Sequence, residues 1–205
     1  MIIESIKVQN EGYVYCKSKF YSAQDGLSNS SNYILYKGIN KLVGEIDSGL
    51  WAVSYMLSMY TYRPEDFILF EYPSVIVNGE QVSLTKLSEY SCYMDKLYPL
   101  FSTDDSIRAL IEQGLEKSHM HCTSQDIKDL FYLDSERFER PLTGAGNEIF
   151  RAMTAIGYSC NKEIFCFPWL SHKRFESYHA NLIELLHILE KLKKFVILPI
   201  GVPVN

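Results

Sequence analysis

No stretch of the chain approaches the roughly 20 consecutive apolar residues that a membrane-spanning helix needs, so any contact with a membrane is expected to come through a partner. Long basic or acidic runs are also missing, and a net charge of −5 over 205 residues leaves no electrostatic footprint for nucleic acid. Cysteine is scarce and unpatterned: Cys16, Cys92, Cys122, Cys160 and Cys166 are odd in number and form no C-x-x-C pair. With no signal-peptide pattern before them, they predict a reducing, cytoplasmic setting rather than a disulfide framework. No Ser-His-Asp spacing or nucleophile elbow occurs, and Ser171-His172 falls in a loop after a strand. His119-Met120-His121-Cys122 has soft metal-ligand types. No second Cys or His cluster completes four ligands, so the segment reads as a polar turn between helices.

What is present suits one domain with a sizeable core. Apolar residues make up 47% of the chain and charged ones 22%, with 15 Tyr and 11 Phe, so disorder is expected only near residues 23–32. Residues 2–8 alternate apolar and polar side chains and residues 12–20 are rich in tyrosine, which predicts an antiparallel pair. Residues 33–43 read as one extended element broken by Gly38, followed by a loop and an apolar helix from Leu50. Short strands follow at 67–70 and 74–77, a turn at Asn78-Gly79-Glu80, and an apolar-aromatic strand at 90–94. Residues 103–138 have helical periodicity and read as an insertion. A helix over 148–158, a buried strand at 164–167, a long helix over 175–194 and a fully apolar strand at 195–200 complete an α/β sheet. Pro168 and Pro199, each lacking a backbone donor, predict that the sheet stops at those residues.

The loop after residue 43 has the layout of a phosphate-binding turn without its chemistry. Gly44-Glu45-Ile46-Asp47-Ser48-Gly49 matches the G-x-x-x-x-G spacing, in which backbone N–H groups wrap a phosphate. Leu50 and Trp51 then stand where a lysine and a Ser or Thr belong. Leucine brings no charge to a triphosphate, and tryptophan offers magnesium no oxygen and has the bulk to fill the pocket. A GxxxxG spacing alone also suits an ordinary turn before a helix.

The order of elements over essentially the whole chain resembles the ATP-binding cassette (ABC) ATPases. The resemblance is carried most by Val77-Asn78-Gly79-Glu80, Leu84-Thr85-Lys86-Leu87, Tyr90-Ser91-Cys92-Tyr93-Met94-Asp95 and the run from Leu100 to Leu110, similar to the family's passage through its Q-loop into a helical subdomain. It implies an α/β P-loop fold with three parts: an antiparallel β part (1–33 and 67–90), a mostly parallel core (34–66 and 147–205) and a helical subdomain (95–146). It places Asp95 at the Q-loop glutamine and Gly144-Ala145-Gly146-Asn147-Glu148 at the signature turn, with Arg151 at the family's arginine. Pro168 and Trp169 take the places of the magnesium-holding aspartate and the catalytic glutamate, Phe175 lies near the D-loop aspartate, and Gly201 falls at the switch histidine. An adenine-stacking aromatic would be one of Tyr13, Tyr15, Phe20 or Tyr21, although a tyrosine-rich strand is also ordinary half-buried surface.

The expectation is therefore a non-hydrolysing homologue, a subunit or scaffold of an ABC transporter-like complex. It would form a homodimer or a heterodimer with another ABC ATPase subunit, dock on a transporter membrane subunit, bind no nucleic acid, and sit in the cytoplasm or peripherally at the membrane through that partner. No cofactor is expected, with ATP and magnesium only if the altered loop retains binding. Two alternatives stand beside it: an adaptor recognising a peptide or a partner enzyme, and a residual ATPase using displaced groups such as Lys37, Lys41 or Asp47.

Overall fold

Residues 33–43 are two strands in two different sheets, and Gly38 is where the chain changes sheet. The computed structural model describes residues 2–9, 14–16, 25–27, 32–69, 73–95, 98–101 and 104–203. Within them β4 (Asn32–Tyr36) pairs antiparallel with β1 (Ser5–Gln9), whereas β5 (Gly38–Val43) pairs parallel with β11 (Phe195–Ile200). Gly38 has φ 98°, a conformation that residues with a Cβ avoid. The Asn40 side chain fixes the bend: its Oδ1 accepts from the Tyr36 amide at 3.0 Å, and its Nδ2 donates to the carbonyls of Tyr36 and Val196 at 2.8 and 3.1 Å. β4 thus belongs to an antiparallel sheet and β5 to the parallel one, with Gly38 between them.

The antiparallel expectation for residues 2–8 and 12–20 holds for direction and fails for partnership. β1 runs between β4 and β7 (Ser74–Val77), with β8 (Glu80–Gln81) beyond β7. β2 (Val14–Cys16) instead joins β3 (Asp25–Leu27) and β6 (Phe67–Leu69) in a separate sheet. β3 lies inside residues 23–32, expected as loop, because polar and glycine composition does not forbid pairing to a neighbouring strand. Asn78 and Gly79 turn the β7–β8 hairpin with φ 52° and 88°. Residues 84–88 are a helix, α2 (Leu84–Ser88), capped by Ser83.

The parallel sheet has the order β5-β11-β10-β9, where β9 is Ser91–Tyr93 and β10 is Ile164–Cys166. β9 and β10 are buried along their whole length and β11 at all but its last residue, as expected of strands covered on both faces. Pro199 does not end the sheet: β11 continues to Ile200 opposite Val43. The Pro199 carbonyl accepts from the Leu170 amide at 3.0 Å on the side of β10, which has already ended opposite Ile197. A missing donor there costs no ladder bond.

Helix α1 (Leu50–Met59) is buried from Trp51 to Met59, and it touches β9, β10 and β11 on one side and β3 on the other. A helix that is apolar all round is read by this position between sheets. The opposite face of the parallel sheet is covered by α8 (His179–Lys191), which packs on β5, β11 and α6 (Ile149–Ser159). The expected single helix over 175–194 breaks at Tyr178 into α7 (His172–Ser177) and α8. The helical stretch of residues 103–138 is α3 (Ile107–Ser118), α4 (Ser124–Leu130) and α5 (Ser135–Phe138); α3 and α4 both pack on α6.

Candidate functional site

β5 and β11 deliver two chain segments to the same end of the parallel sheet, and the indole of Trp169 stands between them. Gly44 donates its N–H to the Ile200 carbonyl at 3.0 Å and accepts on its own carbonyl from Trp169 Nε1, also at 3.0 Å. Residues 46–48 wind into a 3-10 turn, in which the Ser48 N–H and Oγ both donate to the Glu45 carbonyl, at 3.0 and 2.5 Å. A Cβ added to Gly44 would come within 2.6 Å of Ser48 Oγ and 2.7 Å of Leu50 Cδ1. Those two side chains therefore fold onto the glycine, and a larger residue there would have to displace them. Gly49, at φ 75°, closes the turn and opens α1. A phosphate nest needs its amides unengaged; here those of Gly44 and Ser48 both donate to backbone carbonyls.

Gly201 completes the closure. Its N–H donates to the Leu170 carbonyl at 2.8 Å, and a Cβ there would meet the His172 amide nitrogen at 3.0 Å and Trp169 Cζ2 at 3.1 Å. One ring thus fills the space beside Gly201 and reaches Gly44.

Trp51 is elsewhere. It is fully buried, 6.0 Å from the Tyr55 ring, which in turn packs edge-on to Tyr93 at 5.2 Å. One step along a helix turns a side chain by about 100°, which carries residue 51 away from the loop and into the core. Trp51 is thus a core residue of α1, and the tryptophan hydrogen-bonded to the loop is Trp169. Among the residual-ATPase candidates, Lys37 is paired with Glu4 at 2.6 Å and Lys41 is exposed on β5; the Asp47 side chain, like Tyr13, Phe20, Tyr21 and the side chain of Tyr15, lies outside the described residues.

Asp95 ends the β9 segment half-buried, its N–H bonded to the Tyr93 carbonyl at 2.9 Å. It lines a cavity of about 220 Å³ together with Pro168, Trp169, Phe150, Arg174 and Tyr178. Sequence reasoning missed Arg174 and Tyr178 as site residues: residues 175–194 read as one helix, without the break at Tyr178 between α7 and α8, and Arg174 carries no local signal. Phe175 is half-buried on the same helix.

The turn at Gly144, Ala145, Gly146, Asn147 and Glu148 consists of two successive 3-10 turns ahead of α6. Ala145 is buried, while Gly144, Gly146 and Asn147 are exposed. Arg137 braces it, donating to Asn147 Oδ1 at 2.6 Å and pairing with Glu148 Oε1 at 3.1 Å. One turn into α6, Arg151 is 8% exposed and reaches the Tyr132 carbonyl, Asn181 and Glu184, while its Nε has no partner.

The described thiols, Cys92, Cys122, Cys160 and Cys166, are free. Burial pushes Cys166 up to about 12, against hydrogen bonds with Ser58 and Ser54, and raises Cys92 well above the ordinary thiol value. Both are neutral at physiological pH and act as small core residues. Among the described residues no group of three or more His, Cys, Asp or Glu is placed to hold a metal ion, and no helix is long and apolar enough to cross a membrane.

No family model matches the chain, and no curated protein matches it. Solved structures do. A protein from Pyrococcus furiosus described as an ABC transporter ATP-binding protein superposes with TM-score 0.62 at 15% identity, covering 98% of this chain and 92% of its own. A bacterial Atm1-family ABC exporter with ATP bound gives TM-score 0.57 at 13% identity, covering 98% of this chain and 35% of the exporter chain. The fold is that of the ABC ATPases: an α/β core with a parallel sheet, antiparallel β sheets and helices.

Proposed function

We infer that this chain is a non-hydrolysing cassette-fold subunit that serves as a partner or scaffold in an ABC transporter-like assembly, as a homodimer or alongside another ABC ATPase subunit, and in contact with a transporter membrane subunit. One observation carries the reading: Trp169, in the place the resemblance gives to the catalytic glutamate, hydrogen-bonds to Gly44 and packs on Gly201. The residues present do not fit a magnesium triphosphate. Leu50 supplies no charge, Pro168 no oxygen ligand, and the Gly44 and Ser48 amides are engaged. Phosphoryl transfer depends on those groups for nearly all its acceleration. What remains for a partner is the outward Gly144–Glu148 turn, the surface by which the resemblance joins two cassettes.

The adaptor reading draws on a different observation. β4 ends its sheet among the described strands and exposes Ile34 and Tyr36, an edge suited to an added strand.

The test is a titration of the purified chain with ATP and magnesium into the millimolar range, followed by calorimetry, tryptophan fluorescence and phosphate release. The expected result is no heat, no fluorescence change and no phosphate. Phosphate release above the protein-free rate would overturn the reading, and saturable binding without release would leave a nucleotide-binding but non-hydrolysing subunit.

A further inference from the structure

We draw no further inference here: the strongest candidate, the surface groove lined by the exposed Tyr132 in the turn after α4 and by Ile183, Glu184, His187 and Lys191 of α8, carries none, because nothing in the structure shows what covers it.

Discussion

Two glycine-bearing turns open helices in this protein, and they are held by opposite means. Among the described side chains, the Gly44–Gly49 turn ahead of α1 is fixed without ion pairs: a backbone bond to Ile200, an indole bond from Trp169 and the packing of Trp51 in the core behind it. The Gly144–Glu148 turn ahead of α6 is fixed by charge, Arg137 gripping Asn147 and Glu148 while Glu148 Oε2 accepts the Asp134 amide at 3.3 Å. Apolar burial is not weakened by charge screening, whereas exposed pairs are screened and individually weak. The first turn therefore belongs to the core, and the second is the adjustable one. That is the division a non-hydrolysing partner calls for, with the nucleotide end locked and the outward turn able to adapt.

The largest expected effect comes from removing the packing behind the first turn. Trp51→Ala leaves a large void in a fully buried site and is expected to cost about 3–5 kcal/mol, read as a fall in the urea midpoint. A small loss would mean that α1 is not anchored there. Gly201→His, which restores the histidine of the resemblance, forces a side chain against the His172 amide and the Trp169 ring. It is expected to destabilise by about 1–3 kcal/mol without producing ATP hydrolysis. Trp169→Phe keeps an aromatic wall and removes the bond to the Gly44 carbonyl, for a loss of about 1 kcal/mol, with faster amide exchange in the first turn and none in the second.

The layout of the first turn was legible in the sequence because glycine spacing and the apolar helix after it are local signals. Its occupant was not. Trp51 and Trp169 are equally conspicuous in sequence, and which of them meets the loop depends on how far α1 rotates and where β10 ends, both set by tertiary packing. The parallel sheet was readable from the buried runs at 164–167 and 195–200, while the pairing of β1 with β4 and β7 was not, since short alternating strands fit several neighbours equally well. Gly38 announced a break but not a change of sheet. The cavity went unseen because its lining comes from four separated segments, and Arg174 carries no local pattern.

The smallest expected effect separates the two turns by pH. Asp134 caps α5 and accepts from the Glu136 and Arg137 amides at 3.0 and 3.1 Å. The Arg137 amide holds its carboxyl below the usual carboxylate range, with the Glu136 amide and the charges of Arg137 and Lys128 adding to that and desolvation opposing it. A depressed pKa in the folded state means stability that is present above the unfolded value of about 3.9 and lost as pH falls through the folded one. Since α5 carries Arg137, acid is expected to loosen the Gly144–Glu148 turn first. Protection of the Asn147 and Glu148 amides should fall below about pH 4, while that of Ala52 and Gly44 stays. Asp134→Asn retains a good cap and removes the titrating group, so it is expected to flatten the part of the response between the folded and unfolded pKa values. If the acid response survives intact in Asp134→Asn, the second turn is held through Glu148 alone and not through the cap of α5.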